Sequence, residues 1–214
     1  MRYFKKGRAP NCLTAAGSKK GAAFGDLETS CKNRLRTALG REQGWLCCYC
    51  MQRINDNWRT VKIEHRQSRS TSPSLQLEWK NLLAACPGGQ DGPRSDQHCD
   101  TRKGDRSISL DPTNPNIETE VHYLADGRVK SDNVMLDIEL NEVLGLNQPF
   151  LRRNRKAKLD GFIAEMTRRD RRSWSVRTLE NEVHRYEQPV NGELPEYLGV
   201  IVWWIRKKIA SKRN

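Results

Sequence analysis

Four cysteines, Cys47, Cys50, Cys86 and Cys99, bracket a stretch that is otherwise polar and rich in turns, and they constrain this chain more than any other feature. Zinc takes four ligands in tetrahedral array, and two-residue spacing lets one tight turn present two sulfurs to a single ion. Cys47 and Cys50 have that spacing, whereas Cys48 points elsewhere. Cys86 and Cys99 complete a set from across the fold. Twelve residues separate them, a departure from paired Cys-x-x-Cys knuckles, and His98 is a candidate substitute for Cys99. A segment with so little apolar content needs something to hold it together, and a structural zinc does that. Scattered buried thiols are the alternative.

The remaining cysteines read differently. Seven is an odd number, and in a reducing compartment thiols, ligands or buried small hydrophobes are expected rather than disulfides. Cys31 falls on the apolar stripe of a helix with Leu27, Leu35, Ala38 and Leu39, so it reads as a core thiol; Cys12 has no informative neighbours. The basic start, MRYFKKGRAPNCL, lacks an apolar stretch of the signal-peptide kind. The longest apolar run, LGVIVWWI, is far short of the ~20 residues that span a bilayer. A cytoplasmic protein away from any membrane is expected. The formal charge of +12 suits a phosphate-rich partner, although a basic surface alone does not prove one.

Along the chain, residues 1–24 read as a basic arm or irregular lead-in with little periodicity, either touching a partner or disordered. A helix is expected from Asp26 as N-cap to Gly44 as stop. VKIEH, Val61 to His65, alternates and is β-branched, which favours a strand. RQSRSTSPS and PGGQDGPRSDQ are loops, and Asp100 to Arg106 suits a helical turn or two. Asp-Gly within VHYLADGRVK signals a hairpin. Thereafter the pattern is helical: one stripe holds Leu151, Leu159, Phe162, Ile163 and Met166, and a second Val176, Leu179, Val183 and Tyr186. Pro195 is expected in the first turn of a last helix carrying Tyr197, Ile201, Trp204 and Ile205. Arg152, Arg153, Arg155, Lys156 and Lys158, then Arg168, Arg169, Arg171 and Arg172, read as a solvated face, with nucleic-acid contact the lesser expectation. Trp203 and Trp204 read as core packing more than as a docking surface.

A second constellation lies between the cysteines. Glu64 and His65 are adjacent, and neighbours on a regular strand face opposite ways; at the strand's end, where the chain turns, both can face one substrate. A lone histidine there is more often structural than catalytic. Here it keeps company with Asn81, Asp100 and Lys103.

Cys-x-x-Cys, then Glu-His ending a strand, then Trp-x-Asn-Leu-Leu-x-x-Cys, then Cys-Asp-x-x-Lys-Gly resembles the HNH endonuclease motif of the ββα-metal fold, over about residues 45–106. Glu42-Gln43 before the cysteines, Asp111-Pro112 before the hairpin and Leu-Gly-Leu-Asn at 144–147 are similar to the PtuB-like nuclease subunits of Septu and retron-associated anti-phage systems. The resemblance implies an α+β fold: a zinc-stapled ββα-metal core with its leading helix over 25–110, and a hairpin with a basic helical region over 111–214. It implies His65 as general base, whose ordinary pKa near 6.5 suits neutral pH, and Asn81 as the residue that orients it and pins the loop. Glu64 and Asp100 match metal-ligand positions and would hold Mg²⁺ or another hard divalent ion; Asp100, where many members carry His or Asn, favours such an ion over zinc. Lys103 is either a phosphate contact or a solvated lysine, and Arg66 and Arg102 are further candidate nucleic-acid contacts.

The implied substrate is DNA or RNA. The implied partners are an ABC-type ATPase of the PtuA kind and, in retron versions, a reverse transcriptase with its RNA–DNA hybrid. An RNA endonuclease, acting for example on tRNA, would carry the same motif. A silent zinc module that binds nucleic acid or protein is the reading from another class, and the set Glu64, His65, Asn81 and Asp100 argues against it.

Overall fold

The computed structural model describes residues 1–57, 59–170 and 173–213; Arg171 and Arg172 of the basic run lie outside the described residues. The architecture is α+β, with helices of widely different length and two two-stranded sheets among the described residues. Helix α1 (Asn11–Gly17) begins after Pro10, and α2 (Thr29–Glu42) buries Cys31, Leu35 and Leu39 at four-residue spacing. Asp26 does not cap α2. It sits in a preceding 3-10 turn, Phe24–Asp26, where its carboxylate accepts from the Ala23 amide at 2.9 Å, so the N-cap of α2 falls at Glu28, two residues later than expected. The stop is as the sequence suggests: Gly44 has φ 57° and Trp45 folds back against Gly40, where a Cβ would meet the indole at 2.4 Å.

Two expectations for the N-terminal region need correction. Cys31 is buried on its stripe, but its sulfur is bonded to Cys12, so α1 and α2 are joined by a disulfide. Residues 1–24 are also no free arm. Met1, Phe4, Leu13 and Phe24 are buried in the main core, the Phe4 amide donates to Pro112 O at 2.8 Å, and Lys6 pairs with Glu42 at 2.8 Å. Four apolar residues spread over 24 positions leave no period to read, yet each finds a socket.

Strand β1 (Lys62–His65) pairs antiparallel with β2 (Leu82–Ala85), setting Glu64 opposite Leu83 and His65 opposite Leu82. Helix α3 (Cys99–Lys103) follows and reaches back to β1, where the Lys103 ammonium donates to His65 O at 2.9 Å. After α4 (Ile117–Glu120), β3 (His122–Tyr123) and β4 (Val129–Lys130) form the expected hairpin; at Gly127, φ 82°, a side chain would strike Arg152 O. Asn133 caps α5 (Val134–Ile138), which runs into a π-helical turn, Glu139–Val143. The Glu139 carboxylate accepts from the Ser109 and Leu110 amides at 2.7 and 2.8 Å, tying this turn to the chain leaving α3.

Helices α6 (Pro149–Arg169), α7 (Val176–Glu187) and α8 (Leu198–Arg213) complete the chain. Pro195 lies before α8, not in its first turn, because Tyr197 takes φ 56° and breaks the helical path. Trp204 packs against Phe162 and Trp174, and Trp203 against Tyr123, as core aromatics do. The basic face of α6 is largely paired: Arg152 with Asp126, Lys158 with Glu196, Arg169 with Glu165 and Glu182. Arg155 is not solvated at all; it is buried and donates to Gly127 O and Leu146 O, each at 2.6 Å. One apolar cluster runs from Met1 through Leu35, Leu83, Leu110, Leu151 and Leu179 to Ile205, so the three sequence segments share a core. No helix among the described residues is long and apolar enough to cross a membrane.

Candidate metal centre and active site

The turn after α2 builds the first half of the metal centre. The Cys47 amide donates to Gln52 O and the Met51 amide to Cys47 O, and Met51 takes φ 63° to close the turn. Cys47 and Cys50 then face the same point, while the Cys48 amide is spent on Ala84 O at 3.0 Å. Cys86 leaves β2, and Cys99, φ 52°, opens α3. The four sulfurs all lie within 4.8 Å of one another, with Cys47–Cys99 and Cys50–Cys86 each at 3.8 Å. Thiolates 2.3 Å from one tetrahedral ion stand roughly 3.8 Å apart, so the cluster can bind zinc. Burial pushes these thiols up, but hydrogen bonds from the neighbouring cysteines overcome it at Cys47 and bring it well down. Cys99 is the fourth sulfur. His98 is buried beside it, with Nδ1 at 3.1 Å from the Cys99 sulfur, and so is a partner of the cluster rather than a replacement.

Strand β1 borders a cleft of about 470 Å³ lined by Glu64, His65, Asp100 and Lys103, together with Phe24, Arg36, Lys62 and Arg69. Both members of the Glu-His pair reach this cleft from the strand's last two positions. The His65 ring packs edge-on against Phe24, centroids 4.5 Å apart, and its Nε2 stands 3.1 Å from Gln76 O. A carbonyl only accepts, so Nε2 carries the hydrogen and Nδ1 keeps the lone pair. Burial lowers the ring's pKa to about 4, with nearby Arg69 and Lys103 adding to the effect, so the imidazole is neutral at pH 7.

Glu64 is buried. Its Oε1 accepts from the Tyr49 hydroxyl at 2.7 Å and from Lys103 at 2.9 Å. Burial, then Asp100, push its carboxyl up, and Lys103 opposes them. Asp100 stands 3.5 Å from Lys62. Two carboxylates at a solvent-open cleft match the way Mg²⁺ is usually held, with water and substrate phosphate in the remaining positions. Asn81 does not line the cleft. Its side chain accepts from the Gln67 amide at 2.8 Å and donates to Gln67 O and Leu75 O at 3.0 and 3.1 Å, which pins the loop delivering Gln76 to His65.

The cationic candidates divide. Lys103 is neither a solvated lysine nor free for phosphate: it is buried and committed to Glu64 and His65 O. Arg66 points to Asp111 at 3.5 Å and Ile108 O, away from the cleft. Arg102 donates to Glu142 O and lines an adjoining depression with Arg94 and Arg106. Residues the sequence did not single out stand closer. Arg69 lies over the Phe24 ring with no ion pair among the described residues, and Arg36 flanks it in the cleft. Tyr49 is hidden in the Cys-x-x-Cys turn Cys47–Cys50, the hook of the metal centre, where an aromatic carries no signal of what it touches.

No family model matches the chain. It is similar to a protein named as the HNH endonuclease of retron Vc95 from Vibrio cholerae serotype O1 biovar El Tor, 25% identical over 167 residues, which is 72% of this chain and 78% of that protein. It is similar to the Septu protein PtuB of Bacillus thuringiensis, 27% identical over 94 residues, 44% of this chain and 33% of the relative. A third relative, named as the HNH endonuclease of retron Ec83 from Escherichia coli, is 39% identical over 61 residues, 26% of this chain and 24% of its own length. The match thus spans most of the first relative and a third or less of the other two. Together with the ordered motifs and the cleft they form, these relatives make the chain a relative of the HNH endonucleases of the retron-associated and PtuB type.

Proposed function

We propose that this chain is a metal-dependent endonuclease that hydrolyses phosphodiester bonds of nucleic acid on a zinc-stapled ββα-metal core. The observation that carries the reading is His65, neutral and with Nδ1 unencumbered, in one cleft with Glu64 and Asp100. Nδ1 takes a proton from the attacking water. The Gln76 carbonyl, accepting from Nε2–H, fixes the tautomer and stabilises the ring as it becomes cationic. Glu64 and Asp100 would hold Mg²⁺ or a similar hard ion, which polarises the scissile phosphate and stabilises the leaving oxygen. Zinc on Cys47, Cys50, Cys86 and Cys99 would fix the frame. Arg69 and Arg36 supply positive charge beside the reacting position for flanking phosphates.

The names of the relatives support a place in a bacterial anti-phage system of the retron or Septu kind. In that setting the chain works beside an ABC-type ATPase like PtuA, and in a retron beside the reverse transcriptase and its RNA–DNA hybrid. Its activity is held back until such a partner senses infection.

The test is cleavage by wild type and His65→Ala, with and without Mg²⁺, on duplex DNA, single-stranded DNA and total RNA, alone and with the ATPase. Loss of about 10²–10⁴-fold in His65→Ala, with zinc still bound, is expected. The substrate consumed assigns DNA or RNA. Wild-type function in His65→Ala would make the chain a binding module instead, and full-rate cleavage without any partner would remove the restraint.

A further inference from the structure

Tyr49 lies between Cys48 and Cys50, inside the turn that the sulfur cluster closes, and its side chain reaches Glu64 on β1. Its ring is buried, and its hydroxyl donates to Oε1 of Glu64 at 2.7 Å. The same oxygen accepts from Lys103 at 2.9 Å, and Lys103 is itself anchored on His65 O at 2.9 Å. The Asp100 side chain stands within hydrogen-bonding reach of the same carboxyl group, and the bonds from Tyr49 and Lys103 both go to Oε1 rather than Oε2. The two oxygens of one carboxylate are thus made unequal: one is tied on both sides, and the other is left to the cleft that Asp100 shares.

The terminal torsion of a glutamate is normally broad. Here two donors from different elements remove that freedom. Lys103 comes from α3 and Tyr49 from the hook, whose backbone is held by Cys47 N to Gln52 O and Cys48 N to Ala84 O. With one donor removed, the carboxylate would be held by a single contact at Oε1.

We propose that Tyr49 is a positioning residue for Glu64, presenting one carboxylate oxygen to the divalent ion and transmitting the order of the four-cysteine centre to the reacting site. This rests on the reading of Glu64 as a ligand of that ion. The Cys-x-x-Cys turn is then more than a staple, because the residue it encloses sets the geometry of the neighbouring cation site.

The experiment measures Mn²⁺ binding by electron paramagnetic resonance and zinc content per chain in wild type, Tyr49→Phe and Glu64→Gln, together with the Mn²⁺ dependence of cleavage. Phenylalanine keeps the ring and removes only the donor. Outer partners of metal ligands typically alter affinity or activity by about 10–100-fold. The expected result is Mn²⁺ binding weakened at least ~10-fold in Tyr49→Phe, with one zinc per chain retained and cleavage restored to within a few-fold at high Mn²⁺. Unchanged Mn²⁺ binding would overturn the proposal and leave the nuclease reading intact. Loss of zinc from Tyr49→Phe would also overturn it, since the hydroxyl would then serve the hook. Wild-type Mn²⁺ binding in Glu64→Gln would instead remove Glu64 as a ligand, and the proposal with it.

Discussion

The Gln43 side chain holds both backbone polar groups of Ala84: its Oε1 accepts from the Ala84 amide and its Nε2 donates to the Ala84 carbonyl, each at 2.8 Å. The Nε2 also donates to Leu46 O at 2.8 Å. A buried amide thus stands in for a third strand along β2 and ties the end of α2 to the sheet and the hook. Gln43→Leu takes the partner from the buried Ala84 N–H and from Leu46 C=O at little cost in volume, while Ala84 O keeps the Cys48 amide, and each group so stranded costs about 1–3 kcal/mol. Stability should fall by about 3 kcal/mol, read as a lower urea midpoint at unchanged slope.

Zinc should behave as part of the fold. Cys86→Ser removes one of four sulfurs that converge from the hook, the end of β2 and the start of α3. Metal content should drop below one zinc per chain, and the cooperative melting transition should broaden or vanish. A stoichiometric chelator should do the same to wild type. A sharp, unshifted melt after zinc removal would mean that the loop-rich segment is held by packing alone.

The His65 ring has its pKa lowered to about 4 from an ordinary 6.5. In the folded protein it should therefore stay neutral between pH 6.5 and 4, where the unfolded chain would already bind a proton. Falling pH through that window favours the unfolded state, so this group lowers stability as acid is added. As a base it remains competent down to about pH 4. The Cε1–H resonance of His65, followed by NMR in the zinc-bound protein, should titrate near 4; a midpoint near 6.5 would contradict the burial.

Asn81 should act on catalysis through position. Asn81→Ala removes three hydrogen bonds that hold the loop carrying Gln76 to the strand carrying His65. Misplacement of a reacting group by about 1 Å can cost on the order of 10²-fold, so kcat should fall by about that factor with KM little changed. Steady-state kinetics on the substrate found active will separate the two constants.

Arg69 should contribute to substrate binding alone. Its guanidinium carries no ion pair among the described residues, so Arg69→Ala leaves no carboxylate stranded. KM should rise several-fold, and the dependence of log K on log salt should lose about one unit of slope. Binding titrations at three salt concentrations measure it.

Much of the site can be read from spacing. The hook, the Glu-His pair at a strand end and the polar loops follow from residue type and period, and the structure brings Glu64, His65 and Asp100 to one cleft. Long-range contacts cannot be read that way. Lys103 looks like any lysine at the end of a short helix, and only the fold shows its buried partner on β1. The bond between Cys12 and Cys31 joins residues 19 apart, one of which has no patterned neighbours. Asp26 and Pro195 each carry a helix-start signal, yet Asp26 serves the preceding 3-10 turn and Pro195 precedes the break at Tyr197. Local chemistry proposes such boundaries, and competing local contacts decide them.

Lys103 gives the cleft a resident cation. Its ammonium already sits on Glu64, so the buried carboxylate has a counter-charge before any divalent ion arrives. With zinc on the four cysteines and a hard ion at Glu64 and Asp100, as proposed, the chain would fold on the first metal and be stored with the second still exchanging with solvent. Maturation and readiness would then be separate events.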